Sequence, residues 1–307
     1  MTAVHAHDGH LIALPRNQIG QAPQHVLTTL LGDYWLDTEE MLPSAALVQL
    51  VEEFGVTPIA GRAALSRLAR RKVLETRKTG RNTYYGLSEP ARTTLRRGAH
   101  RIVSFGREPR TWDEQWTIVA FSLPEEQRDL RHLVRSRLRW LGFAPLYDGM
   151  WVSPHTSSTV ALGELVALGV SSASVVTATE SVSSPHLKPL LSAWDLDALR
   201  AEYEAYILEH EPLLERVRAG SVGAAQALVS RTSVMDTYRR FPALDPELPD
   251  SMMPADWPRA RTQELFAEIY DGLGALAEIR VRQVVSAFSP ELARHVRHHT
   301  VAELLQS

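Results

Sequence analysis

The chain has 307 residues, of which 44% are hydrophobic and 22% are charged, and it contains no cysteine. This length predicts two or three domains, and the lack of cysteine excludes disulfide scaffolds, thiolate zinc sites and cysteine nucleophiles. Because no apolar run reaches the roughly eighteen residues of a membrane span, these features favour a cytoplasmic protein. Residues 1–23 are polar, and we expect them to form a flexible N-terminal arm.

Charge is distributed unevenly along the chain. The net charge is −3, but the stretch from Arg62 to Arg107 contains thirteen basic and two acidic residues, a net +11, so the remainder carries −14. A basic segment on an acidic body is expected where electrostatic attraction to phosphates is confined to one domain. The charge pattern therefore predicts a nucleic-acid-binding segment between these two arginines.

Residues 24–107 are predicted to form a winged helix-turn-helix domain. Apolar periodicity and helix-stop signals indicate three helices, two short strands and a basic helix. Thr57 is a suitable N-cap for the third helix, and Pro58 suits its first position. The strands are joined by residues 78–81, which form the basic tip of the wing. The predicted elements are 24–36, 43–54, 58–70, 73–77, 82–88 and 89–105.

The third helix separates its residues onto two faces. At about 100° per residue, the buried face is predicted to contain Gly61, Ala64, Leu65 and Leu68. A glycine within a helix costs roughly 1 kcal/mol relative to alanine, so Gly61 indicates a close backbone approach. The opposite face is cationic and carries a hydroxyl group, which suits a helix in the major groove of DNA.

A set of residues on this helix, its N-cap and the wing is predicted to contact DNA. Arginine forks suit guanine edges and phosphates, whereas the wing cations suit phosphates or a minor groove. A solvated helix face is the alternative interpretation, but such a face normally includes carboxylates. The predicted DNA-binding residues are Thr57, Arg62, Ser66, Arg67, Arg70, Arg71, Lys78 and Arg81.

Residues 108–185 are predicted to form a ferredoxin-like domain. Strand and helix patterns alternate in the order β-α-β-β-α-β over about 70 residues, which is the split βαβ arrangement. Asp148-Gly149, between the two middle strands, is a two-residue hairpin signal with positive φ expected at both positions. The predicted elements are 115–123, 124–142, 143–147, 150–154, 157–169 and 173–179.

Residues 186–307 are predicted to form a helical domain. Helices are expected at 194–217, 224–241 and 260–288. The proline-rich stretch 242–258 suits no regular element, and we expect an ordered loop anchored by Met252, Met253 and Trp257. The fold class expected for the whole chain is therefore α+β.

Six motifs in these segments follow one another along nearly the whole chain. They are RAALSRLARRKVL (62–74), GRNTYYGLS (80–88), RIV (101–103), Trp112-x-x-x-Trp116 with TIVAFSLPEEQRDLRHLVRSRLRWLGF (117–143), GMWVSP (149–154) and DPELPDSMMPADWP (245–258). In this order they resemble the PaaX-type repressors, which regulate phenylacetic acid degradation. The resemblance implies a winged-helix domain, a Cas2-like middle domain and a helical C-terminal domain.

The resemblance also implies partners. It implies a homodimer on an inverted-repeat operator in double-stranded DNA, released by an aryl-acyl coenzyme A effector such as phenylacetyl-CoA, with no other cofactor. Such a ligand needs aromatic walls for its ring and cations for its phosphates, although a tryptophan is more often an ordinary core residue. The candidate effector residues are Trp116, Trp140, Trp151, Arg239, Arg240 and Trp257.

The chain departs from the family pattern at two places. Family members often have glycine after the recognition helix, where this chain has Lys72. The usual Trp-Asp-Gly before the first middle-domain strand is Trp112-Asp113-Glu114. These departures leave the fold unchanged and leave the operator sequence and the effector open.

Two other classes of protein are alternatives. One is a metal-dependent nuclease built on the Cas2-like domain, which would need carboxylates for a metal ion; the first strand has none before Glu125, and we expect no enzyme. The other is a DNA-binding protein without a ligand. The histidines near the ends of the chain are expected to be solvated surface residues and not metal ligands; they are His5, His7, His10, His295, His298 and His299.

Overall fold

The computed structural model describes residues 22–108, 110–179 and 188–306. The expected arm, apart from residues 22 and 23, and its histidines His5, His7 and His10 lie outside this description. Helices are combined with two antiparallel sheets, so the mixed α and β class is confirmed.

The chain divides into two compact units. The first unit consists of Met1–Phe105, Tyr206–Pro242 and Arg261–Ser307, and the second of Gly106–Ala205 and Ala243–Ala260. The three domains at 24–107, 108–185 and 186–307 stay a prediction from sequence, because these units are discontinuous in the chain.

The N-terminal part of the first unit contains four helices and a small sheet. Its elements are α1 (Pro23–Tyr34), β1 (Leu42–Pro43), α2 (Ser44–Glu52), α3 (Pro58–Arg70), β2 (Leu74–Thr79), β3 (Asn82–Leu87) and α4 (Glu89–Ser104). The strands are antiparallel in the order β1-β3-β2. Strand β2 extends beyond its predicted end, because Lys78 pairs with Thr83 and Thr79 with Asn82. The hairpin turn is therefore only Gly80-Arg81.

The sheet of the second unit has four strands. The elements are β4 (Trp116–Phe121), α5 (Arg128–Trp140), β5 (Ala144–Tyr147), β6 (Met150–Ser153), α6 (Ser158–Ala167) and β7 (Ala173–Ala178). The strand order is β5-β6-β4-β7, and all neighbours are antiparallel. The core between the sheet and the two helices includes Val119, Val134, Leu138, Trp151 and Leu165.

The hairpin between β5 and β6 differs from its prediction in one respect. Positive φ is found at Gly149 (80°) but not at Asp148. A Cβ atom at Gly149 would lie 2.6 Å from the carbonyl oxygen of Phe121. Glycine is therefore required there both by the backbone angle and by the close approach of β4.

The rest of the chain is helical. The elements are α7 (Leu196–Arg218), α8 (Ala224–Tyr238), α9 (Phe241–Leu244), α10 (Arg259–Gly272), α11 (Gly274–Ser286), α12 (Pro290–Ala293) and α13 (Val301–Gln306). Across the described ranges, no helix combines the length and the hydropathy that crossing a membrane requires.

The single helix predicted at 260–288 is wrong, because the chain breaks at Leu273 between α10 and α11. Gly272 and Gly274 flank the break, and glycine weakens a helix by roughly 0.5–1 kcal/mol relative to alanine. A Cβ atom at Gly274 would collide with the ring of His298. The lack of a side chain at Gly274 therefore leaves room for the ring of His298, which comes from a later part of the chain.

Helix α1 is buried on nearly all sides in the first unit. It packs against α2, α3 and α4 and also against α8. Helix α11 packs against α8 and α2, and α13 packs against α4. The N-terminal helices and the C-terminal helices of this unit therefore share one core.

A charged network is buried where α1 meets the C-terminal helices. The side chain of Arg231 is fully buried, and its Nη1 atom forms an ion pair with Asp33 Oδ2 at 3.3 Å. Its Nε donates to the Tyr270 carbonyl at 3.1 Å, and its Nη2 donates to the His299 carbonyl at 2.7 Å. The Tyr270 hydroxyl donates to Asp33 Oδ1 at 2.9 Å. Burial raises the pKa of Asp33, although the Arg231 charge opposes the shift.

The prediction of solvated C-terminal histidines is wrong for His299. Its side chain is buried, with Nδ1 3.1 Å from the Asp33 carbonyl and Nε2 2.8 Å from Asp37 Oδ2. His298 is half-buried and bonds Glu278 at 2.6 Å, whereas His295 is exposed. The carboxylate partners come from distant elements, which sequence spacing did not reveal. The described residues contain no cluster of histidine and carboxylate side chains suited to a metal ion.

Candidate nucleic-acid interface

The start of α3 is defined by Thr57 and Pro58. The Thr57 hydroxyl accepts a hydrogen bond from the Ala60 backbone N–H at 3.3 Å, and Pro58 occupies the first turn. The predicted N-cap is confirmed. Such a cap contributes about 1 kcal/mol, and it fixes the direction in which the first turn of the helix leaves the preceding loop.

The two faces of α3 differ as the sequence predicts. Gly61, Ala64, Leu65 and Leu68 are its buried residues, and they pack the helix against α1 and α2. A Cβ atom at Gly61 would lie 3.0 Å from Val51 Cγ2, which confirms the close approach. Consequently α3 is held by two other helices with its opposite face towards solvent. The exposed predicted residues are Arg62, Ser66, Arg67 and Arg70.

The end of α3 has a backbone conformation that suits glycine at the position of Lys72. This residue has a φ of 60°, the left-handed conformation that favours glycine. Its N–H donates to the Ala69 carbonyl at 2.9 Å, and the Val73 N–H donates to the Leu68 carbonyl at 3.0 Å. These two bonds are the Schellman pattern. The exposed Lys72 therefore adds a cation next to the arginine face while adopting a conformation that costs a non-glycine residue about 1 kcal/mol.

The hairpin adds a second basic surface. Lys78, at the end of β2, and Arg81, in the turn, are exposed. Arg77, which is not among the predicted DNA-binding residues, is also exposed. Its guanidinium lies 5.8 Å from the centre of the Tyr84 ring. Gly80 has a φ of 59°, as the first position of a two-residue hairpin turn requires. Lys78 therefore precedes Gly80 and Arg81 follows it along the chain, so the tip of the hairpin is basic.

The arginines of α3 are electrostatically unlike most others in the protein. In the part of the chain that the structure describes, Arg62, Arg67 and Arg70 make no ion pair. Elsewhere, arginine side chains are commonly matched to carboxylates; examples are Arg96, Arg110, Arg131, Arg135, Arg137, Arg200, Arg218, Arg261, Arg280, Arg282 and Arg297. The α3 face therefore keeps an uncompensated positive field, which attracts phosphates. Arg71 is exposed as well.

One exposed residue of α3 is absent from the predicted set. Ile59, the second residue of the helix, is 78% exposed. Helical spacing would have identified it, because Ile59 lies seven residues before Ser66 and so on the same side of the helix. Charge and hydroxyl groups, on which the predicted set is based, do not identify an apolar residue.

The candidate effector tryptophans all belong to the second unit and have different surroundings. Trp116 is buried beside Trp112, with ring centres 5.7 Å apart. Trp151 lies in the core on the other face of the sheet, where it is next to Val119 in register. Trp140 is 72% exposed, and the Arg137 guanidinium lies 4.2 Å from its ring centre.

Trp257 is half-buried in the segment that follows α9. Its ring packs edge-on against Tyr203 at 6.1 Å, and the Arg200 guanidinium lies 5.3 Å from its centre. The predicted anchoring role of this tryptophan is therefore confirmed. The structure does not gather the four tryptophans around one cavity, because Trp116 and Trp151 already lie on opposite faces of a sheet.

The two candidate effector arginines, Arg239 and Arg240, belong to the first unit. Arg239 forms an ion pair with Asp236 at 3.1 Å and donates to His25 Nδ1 at 3.0 Å. His25 Nε2 lies 3.1 Å from Asp236 Oδ1. Because Arg239 can only donate to Nδ1, these contacts fit the neutral tautomer in which Nε2 carries the hydrogen and donates it to Asp236. Burial, followed by the Arg239 charge, lowers the pKa of His25 to about 4. Arg239 therefore has structural partners, and Arg240 is half-buried.

Known protein families match this chain in consecutive segments. The models described as PaaX-like protein, PaaX protein central Cas2-like domain and PaaX-like protein C-terminal domain match residues 22–91, 109–189 and 194–283. The transcriptional repressor PaaX of Escherichia coli (strain K12) is 26% identical over 255 residues, which covers 80% of this chain and 76% of that protein.

A solved structure shares the fold. The uncharacterized protein Rv0674 from Mycobacterium tuberculosis superposes with a TM-score of 0.52 at 22% identity, over 86% of this chain and 98% of that chain. At this identity the similarity shows the fold alone.

Proposed function

Since the chain belongs to the PaaX family, we propose that it is a transcriptional repressor that binds operator DNA through α3 and the β2–β3 hairpin. In this proposal α1 to α4 and the small sheet form a winged helix-turn-helix, and β4 to β7 with α5 and α6 form the ferredoxin-like domain expected at residues 108–185. The element orders and the antiparallel sheets support both assignments. We place the repressor in the cytoplasm.

One observation carries the DNA-binding proposal. Arg62, Arg67 and Arg70 lie on the exposed side of a helix whose other side is packed against α1 and α2, and they have no carboxylate partners among the described residues. A rigidly supported helix with free guanidinium groups can read guanine edges in a major groove. Ser66 and the N-cap residue Thr57 suit contacts to bases or phosphates, and Arg71, Lys78 and Arg81 suit phosphates.

Arg67→Ala and Arg70→Ala should each weaken operator binding. A base-reading arginine contributes about 1–3 kcal/mol, and its removal should also relax specificity. Binding is measured by fluorescence anisotropy at several salt concentrations, with the operator found by selection from randomised duplex DNA. By contrast, Lys78→Ala should weaken all sequences equally and reduce the salt slope by about 1.

The matched control is Arg218→Ala. Arg218 is an exposed arginine paired with Glu268, so its replacement removes the same charge without touching α3 or the hairpin. Operator affinity that is unchanged in both α3 variants, or lowered equally by the control, would contradict the assignment of α3. Cleavage of the duplex in the presence of Mg²⁺ would instead support the nuclease alternative.

We further propose that the repressor is a homodimer released by an aryl-acyl-CoA effector, with Trp116, Trp140, Trp151, Arg239, Arg240 and Trp257 as candidate effector residues. Phenylacetyl-CoA should release the operator, and free phenylacetate should not, because only the thioester offers phosphates to cations. At about 100 times its dissociation constant, the thioester should also stabilise the protein by about 2.7 kcal/mol. A duplex that stays bound and an unchanged melting temperature would favour the ligand-independent alternative.

A further inference from the structure

Ile59 lies at the centre of the exposed face of α3. At about 100° per residue, Ser66 and Arg70 lie within about 20° of it around the helix, and Leu68 lies about 180° away. Leu68 is fully buried, whereas Ile59 is 78% exposed. The side chain therefore points directly away from the core that holds the helix.

The position of this isoleucine is unusual in its chemical surroundings. Single apolar residues on a protein surface are common, but Ile59 is the one large apolar side chain on this face. Apart from Ala63, its neighbours there are Arg62, Ser66 and Arg70. The other large apolar residues of α3, Leu65 and Leu68, are buried. Ile59 therefore contributes little to the packing of the helix, and a polar residue would serve stability about equally well.

The geometry of the first turn suits recognition. Recognition helices contact base edges chiefly with their N-terminal residues, and Ile59 is the second residue of α3. Its backbone is fixed by the Thr57 cap and by Pro58, while a β-branched side chain has restricted χ1. An apolar contact by Ile59 would therefore lose little conformational entropy on binding.

The major groove offers one apolar group to such a side chain. Among the four bases, only thymine presents a methyl group there. We propose that Ile59 is a specificity-determining residue that reads the 5-methyl group of a thymine next to the bases contacted by the α3 arginines. This inference rests on the proposed DNA-binding function and extends it, because it names a chemical feature that the operator must contain.

Thymine-to-uracil replacement tests the inference directly. Uracil retains the pairing and the O4 acceptor but lacks the methyl group. In the operator selected by the wild-type protein, each thymine is replaced in turn, and binding is measured by anisotropy. We expect one thymine per half-site whose replacement weakens wild-type binding about three- to tenfold, as the loss of one buried methyl contact would.

Ile59→Ala completes the comparison. It should bind the thymine operator as weakly as the wild type binds the uracil operator, with little further loss on the uracil operator. Alanine favours the helix more than isoleucine does, so the exposed substitution should not lower the melting temperature. The matched control is Ile279→Ala, which truncates a half-exposed isoleucine on α11 and should retain the full methyl dependence.

The possible failures are distinguishable. Equal wild-type affinity for the thymine and uracil operators at every position would overturn the inference while leaving DNA binding established. Retention of the methyl dependence by Ile59→Ala would also overturn it. If the wild-type protein selects no DNA and Arg67→Ala changes nothing, the proposed function fails and the inference fails with it.

Discussion

Replacing Arg231 by methionine should lower the free energy of unfolding by about 3–5 kcal/mol. The substitution would leave the Asp33 carboxylate buried without its ion pair, and it would remove the hydrogen bonds to the carbonyls of Tyr270 and His299. It would also remove a guanidinium that lies 3.7 Å from the centre of the Tyr270 ring. Urea denaturation followed by circular dichroism measures the change.

Two further variants separate the buried charge from simple loss of volume. In Arg231→Met/Asp33→Asn the buried anion is gone, while Tyr270 keeps an acceptor, so the double variant should be more stable than Arg231→Met alone. A coupling free energy of about 0.5–3 kcal/mol is expected for residues in one network. Arg218→Met removes an exposed arginine paired with Glu268 and should cost less than about 1 kcal/mol. Additive losses in the double variant would contradict the network.

The Arg231 network also stabilises the helices that hold the proposed DNA-binding helix α3. Asp33 lies in α1, which packs directly against α3, and its ion-pair partner Arg231 comes from α8, about three-quarters of the way along the chain. Arg231, from the C-terminal part of the chain, therefore stabilises α1, the helix against which the proposed recognition helix packs. A protein truncated after residue 107 would expose the apolar surface of α1 and leave Asp33 without its cation.

Asp245→Ala should destabilise the second unit by about 3–5 kcal/mol. The carboxylate of Asp245 accepts two hydrogen bonds from Arg259, at 2.8 and 3.0 Å, and one from the Tyr203 hydroxyl at 2.5 Å. The side chains of all three residues are almost fully buried. Burial and the Asp245 charge raise the pKa of Tyr203, which keeps the hydroxyl protonated as a donor.

The control for this prediction uses the same arginine. Asp250 also pairs with Arg259, at 3.5 Å, but is mostly exposed, so Asp250→Ala should change stability by no more than about 1 kcal/mol. Thermal unfolding compares the two variants, and limited proteolysis between residues 245 and 258 reports on the loop that carries Trp257. Equal stability of the two variants would show that burial of Asp245 has no energetic role.

Local signals in the sequence predicted much of the structure of α3 and of the β2–β3 hairpin. The N-cap Thr57, the first-turn Pro58 and the apolar spacing of Leu65 and Leu68 are each set by residues within one or two turns, so the limits of α3 and its two faces are confirmed. The turn of the hairpin was placed less well, because pairing of Lys78 and Thr79 with β3 extends the strand. Strand ends depend on a partner strand, which propensity does not include.

Features that depend on distant residues were missed. The lack of a side chain at Gly274, next to the break at Leu273, leaves room for the ring of His298, and the buried His299 lies 2.8 Å from the carboxylate of Asp37. In each case, residues that no periodic pattern relates are brought together only when the helices pack. The candidate effector residues stay a prediction for the same reason, since a pocket is a property of packed elements.

The sequence by itself determined which residues of α3 face the core and which face outwards, because helical spacing and amphipathicity are local properties. It also determined where positive charge accumulates along the chain. Only the tertiary structure decided which arginines are neutralised: Arg231 and Arg259 find buried carboxylates, whereas Arg62, Arg67 and Arg70 do not among the described residues. The physical reason is that Coulomb energy and desolvation depend on distance in space and on burial, and neither quantity is contained in the order of residues along one helix.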